Sequence, residues 1–148
     1  MRKQRFAPVV AILLMSGWAA GAMAAEPPTA GDYLTVLSNG SWPIEILAYC
    51  YSTVAKDPAL QAVGQRWRRR NDGLLATVSA KAAAVDIPAD IRRAADAATL
   101  SAIRRLIASQ ADQPAWCRMM GDVIDSGAYD IDRRTDLRDP LKRIFGRE

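Results

Sequence analysis

Two cysteines, a run of arginines and a scatter of aspartates are the residues here whose types and spacing could do chemistry. Cys50 and Cys117 could form a disulfide or act as a redox couple. A redox couple normally uses a C-x-x-C motif, which the chain lacks, so a structural bond is the expectation and two unpaired buried thiols the alternative. Arg66-Trp67-Arg68-Arg69-Arg70 could present guanidinium groups to a phosphate, a lipid headgroup or an acidic protein face, with Trp67 available for stacking. Consecutive helical positions wrap around the axis, however, and cannot all meet one ligand. The competing expectation buries Trp67 and leaves the arginines as a solvated face beside Asp72. Asp125, Asp130, Asp132 and Asp136 offer the oxygen ligands that hard cations take. Their spacing departs from the D-x-D-x-D-G loop, and Arg133-Arg134 would repel a cation. Helix capping or pairing with arginine is the expected role, and no metal site is predicted.

Much chemistry is excluded by what the chain lacks. There is no histidine, which removes the commonest general base near neutral pH, the Ser-His and Cys-His nucleophilic pairs, and histidine-based zinc sites. No G-x-S-x-G, Gly-rich phosphate loop or paired catalytic-acid motif occurs. A histidine-free helical enzyme can run on Arg and Glu, as exported chorismate mutases do, but it needs several such side chains converging inside the bundle. Glu45 is the only glutamate away from the ends of the mature chain, and Arg92-Arg93 and Arg104-Arg105 alternate with apolar positions and are expected to look outward. No catalytic residue and no cofactor is predicted.

The first 24 residues carry a second kind of information. Arg2, Lys3 and Arg5 precede an uncharged stretch from Phe6 to Met15, and Ala22-Met23-Ala24 follows. A charged start, an apolar middle and an A-x-A end read as a cleavable export signal cut after Ala24. The alternative is an uncleaved membrane anchor, since Phe6 to Ala25 is free of charge and about 20 apolar residues suffice to span a bilayer. Removing the signal takes three of the 20 Lys and Arg and none of the 16 Asp and Glu. The mature balance is nearly neutral, so the basic pI implies no general attraction to nucleic acid or anionic membrane. Export also strengthens the case for a Cys50–Cys117 bond, because oxidising compartments are where disulfides persist.

The elements that must position these residues are helical. Residues 25–40 read as a leader with a helical turn or two around Tyr33–Leu37, broken at Asn39-Gly40-Ser41, which is formally a glycosylation acceptor. Residues 41–148 read as a single helical domain. Ser41 is expected to cap a helix running to about Ala55, and Asp57-Pro58 to start a long one reaching about Val85. Gly64 suggests a close helix contact and Gly73 a bend. A third begins near Pro88 with a core stripe of Ile91, Ala95, Ala98, Ala102, Ile103 and Leu106. Asp112 caps the fourth, whose Trp116, Met120, Val123 and Ile124 point inward and which ends at Gly127; a short helix over Asp136–Phe145 closes the chain. No stretch alternates as a strand does. The prediction is an all-α bundle of four main helices pinned by one disulfide.

Ala48-Tyr49-Cys50-Tyr51 in an early helix, and Trp116-Cys117-Arg118-Met119-Met120 leading to Gly127-Ala128-Tyr129-Asp130, give a layout that resembles several small exported helical families. Among them are the periplasmic immunity proteins that neutralise type VI secretion amidases. The missing catalytic chemistry and the compact stapled scaffold point to a non-enzymatic periplasmic or secreted protein that acts by binding another protein, a secreted toxin or an envelope protein, and the resemblance makes immunity to a toxin one specific form of it. The resemblance matches no inhibitory loop residue by residue. The readings from other classes are an Arg-based enzyme or small-anion binder, and an envelope structural factor held by an uncleaved anchor.

Overall fold

Thr29 opens the first helical segment of the computed structural model, which describes residues 26–146; the predicted export signal and its cleavage site lie outside them. The Thr29 hydroxyl accepts from the Asp32 N–H, and the Asp32 carboxylate accepts from the Thr29 N–H at 2.8 Å. Two donors that the first turn leaves unmatched are thereby satisfied reciprocally. Helix α1 (Ala30–Leu34) widens into a π-helical segment, Thr35–Asn39, before α2 (Trp42–Tyr49) and a second π segment, Cys50–Val54. The expected break at Asn39-Gly40-Ser41 is only a local irregularity: Gly40 and Ser41 both keep right-handed helical angles. The cause of the irregularity is Pro43. Its ring removes an amide donor and crowds the preceding turn, and the ladder yields at Ser41, where ψ is −7°. Ser41 therefore makes no side-chain cap; its hydroxyl donates to the Ser38 carbonyl instead.

Asp57 caps α3 (Pro58–Ala82) by accepting from the Ala59 N–H at 2.9 Å. Helix α3 is the spine of the molecule. It runs unbroken through Gly73, around which a side chain would meet open space. Gly64 does mark a close crossing: a Cβ there would stand 2.9 Å from the Ile44 Cδ1 of α2. Helix α4 (Ala89–Ala108) follows, then α5 (Gln113–Asp125), capped by Asp112 through the Ala115 N–H. Gly127 reverses the chain with φ of +83°, an angle open to glycine at little cost. Two short 3₁₀ turns, Ile131–Arg133 and Thr135–Leu137, lead into α6 (Arg138–Phe145).

The architecture is all-α, four main helices with shorter helical pieces at both ends, and no strand among the described residues. The core gathers Ile46 and Leu47 of α2, Trp67 and Val78 of α3, Ile103 and Ile107 of α4, and Ile124 of α5. Tyr33 and Val36 ahead of α2, and Ile131, Leu137 and Ile144 after α5, belong to the same core. Cys50 and Cys117 are fully buried and bonded, with Cα atoms 5.7 Å apart, tying the end of α2 to α5.

The α4 stripe differs from the sequence expectation. Ile103 and Ile107 are its only buried residues, while Ile91, Ala98, Ala102 and Leu106 of the expected stripe or its flank lie exposed. The inward line follows the i, i+4 row Ala95, Thr99, Ile103, Ile107, which shares only Ala95 and Ile103 with the predicted stripe. The polar Thr99 in that row hid it from a hydrophobicity count.

Candidate functional site

Each of the arginines flagged by sequence has a definite place, and the block does not act as one surface. Arg66 makes a two-pronged pair with Asp125, Nε to Oδ1 at 2.7 Å and a terminal nitrogen to Oδ2 at 2.8 Å. Arg70 holds both oxygens of Asp130 and also donates to the Ile124 carbonyl at 2.9 Å. Two of the four aspartates considered as cation ligands are thus counter-ions to the arginine run. Asp136 is a third, paired with Arg134 at 2.5 Å. Hydrogen bonding to these guanidinium groups holds the Asp125 and Asp136 carboxyls below the usual carboxylate range. Among the described residues no three acidic or cysteine side chains are grouped so as to hold a metal ion.

Between Arg66 and Arg70, the buried Trp67 donates from its indole to the Tyr129 carbonyl at 3.1 Å. Asn71 completes the seam. Its amide donates to the Trp67 carbonyl at 2.9 Å and to Asp130 Oδ1 at 3.1 Å, and its oxygen accepts from the Ile131 N–H at 2.8 Å. This buried network fastens residues 124–131 to α3. Its role is architectural. Sequence reading missed Asn71, since an asparagine between Arg70 and Asp72 carries no mark of burial.

A second bolt joins the two ends. Arg143 of α6 clasps Asp32 with contacts of 2.6–3.1 Å. That hydrogen-bonded guanidinium, with the Thr29 N–H, outweighs burial and lowers the Asp32 pKa from 3.8 to about 2. The pattern Thr29-x-x-Asp32 was a readable capping signal; the arginine 111 positions away was not.

Arg68 and Arg69 remain. Both are exposed, and among the described residues neither pairs with a carboxylate. Arg68 borders a groove of about 640 Å³ between α2, α3 and α4. Ile44 and Leu47 come from α2, Leu60 and Gly64 from α3, Leu100 and Ile103 from α4. Tyr49 and Tyr51 add aromatic edges, and Gln61, Gln65, Glu45, Arg68 and Arg104 the polar ones. Arg104, like Arg68, is exposed and unpaired among the described residues. A smaller hollow of about 460 Å³ continues along α4, sharing Glu45 and Leu100 and reaching Arg92 and the Ser38–Asp96 hydrogen bond of 2.9 Å. The groove opens where α4 docks through few buried residues. Volumes of this order suit a small ligand or the anchor side chains of a partner.

No protein-family model, no curated protein and no solved structure matches this chain. The groove and the ion-pair seams are therefore read on their own physics.

Proposed function

We propose that this chain is an exported, non-enzymatic helical protein that acts by binding another protein, with immunity to a secreted toxin or inhibition of an envelope enzyme as its specific form. The observation that carries the reading is the uneven packing of α4. Leu100, which lines an open apolar groove, keeps 37% of its surface exposed, and elsewhere on α4 Leu106 and Ile91 keep 36% and 49%. An apolar floor edged by exposed Leu100 and by Arg68 and Arg104 is a composition that partner surfaces favour. The bonded Cys50–Cys117 pair supports an oxidising compartment. No helix among the described residues is long and apolar enough to cross a membrane.

The competing class, an Arg-based enzyme or small-anion binder, needs three or more arginines facing into one pocket. Only Arg68 and Arg104 border the larger groove, while Arg66 and Arg70 are spent on Asp125 and Asp130. Partner binding is the better supported reading. Affinity capture from periplasmic extract with the mature chain as bait tests it. A partner recovered near one-to-one and eluting with the chain as a complex is expected. A chain that stays monomeric and recovers nothing would contradict the proposal.

A further inference from the structure

The arginines of this protein fall into two populations. Arg66, Arg70, Arg134 and Arg143 each have an aspartate of the same chain in hydrogen-bond contact. The other described arginines have none, and of these Arg68 and Arg104 stand on two different walls of one apolar groove, α3 and α4. Among the described residues the sole carboxylate lining that groove is Glu45, on the third wall, α2, and no ion pair joins it to either arginine. Positive charge is therefore concentrated on the α3 and α4 walls over a floor of Leu47, Leu60 and Ile103.

We propose that this groove is the docking site for an acidic segment of the partner protein, an apolar anchor side chain entering between α2, α3 and α4 while a neighbouring aspartate or glutamate is held by Arg68 and Arg104. The inference rests on the partner-binding reading above and names the chemistry of the partner's contact. Its logic is complementarity. A guanidinium gives planar, multi-donor recognition of a carboxylate, and it counts for more where an apolar floor excludes water. Apolar area next to a paired charge is also the usual make-up of an interface hot spot. The near-neutral mature chain makes long-range attraction weak, so the recognition is local, at these two side chains.

Photo-crosslinking from the groove tests this directly. The full chain, produced in its native host with Leu100→p-benzoylphenylalanine, is irradiated, and the crosslinked peptide is sequenced by mass spectrometry. A partner peptide with Asp or Glu within a few residues of the crosslink is expected. Adding Arg68→Glu and Arg104→Glu should lower its yield at least ten-fold, whereas Arg69→Glu, one position round the same helix, should leave it unchanged. Both arginines are exposed, so circular dichroism is expected to show the variants folded; should the double reversal unfold, Arg68→Gln with Arg104→Gln is read in its place. Four results would overturn the proposal: no crosslink, a crosslink to a second copy of this chain, a captured peptide without acidic residues, or a yield indifferent to the arginines. If affinity capture still recovers a partner, the docking site is wrong and the binding function stands.

Discussion

At Asn71 three hydrogen bonds converge on one buried amide, two donated to the Trp67 carbonyl and Asp130 Oδ1 and one accepted from the Ile131 N–H. Asn71→Ala would leave the Ile131 N–H without its acceptor, while Asp130 keeps Arg70 on both oxygens. A loss of about 2–3 kcal/mol in urea-unfolding free energy is expected. Arg66→Ala should cost far less, although its pair with Asp125 is geometrically good, because the two side chains are 42% and 37% exposed and water competes for them. Asp32 adds a pH signature. Its carboxyl is more acidic folded than unfolded, so the stabilisation is complete above about pH 4 and disappears as pH falls through about 2. Asp32→Asn should therefore be less stable than the wild type at pH 6, with the difference closing by pH 2. Unfolding midpoints measured across that range check the sign, and a constant difference would contradict it.

At the scale of elements, α4 is the informative helix. If Ile103 and Ile107 alone dock it, Ile103→Ala should cost about 2–4 kcal/mol, whereas Ile91→Ala should change stability by less than about 0.5 kcal/mol. Equal losses at the two positions would mean that α4 packs along the stripe its apolar residues predict. Helix existence and order were legible because caps and prolines punctuate the chain: Asp57-Pro58 and Asp112 mark the starts of α3 and α5, and Gly127 the end of α5. The two irregular turns around α2 were not legible. The wider π turns have no local sequence signature, and Gly40, expected to break the helix, stays in it at 3.5 Å from Ile131 and Leu75 once a Cβ is imagined there. The α4 face was misread for a related reason. Alanine contributes apolar character without contributing much area, so several rows of an Ala-rich helix look alike until tertiary packing chooses one. The groove was equally hidden, since it is a gap left by three helices rather than a pattern on any one of them.

At the scale of the molecule, long-range ties hold short helices around α3, and among the described residues three stand out. The disulfide spans 67 positions, the Arg70–Asp130–Asn71 seam anchors the segment after α5, and Asp32–Arg143 joins the two ends. The disulfide is the largest single contribution, roughly 4 kcal/mol by loop-entropy reasoning. Replacing Cys50 and Cys117 together with alanine should lower unfolding free energy by about 2–5 kcal/mol, a large part of the 5–15 kcal/mol typical of a domain. In the partner-binding reading proposed above, such a scaffold presents the α2–α3–α4 face to the partner. Amide hydrogen exchange of the purified chain, alone and with its captured partner, tests that claim most directly. Slowed exchange on binding should be confined to α2 with its following turn, the first half of α3 around Leu60–Arg68, and α4 around Leu100–Arg104. Protection centred on α6 or on the 3₁₀ turns after Gly127, with the groove unchanged, would contradict it.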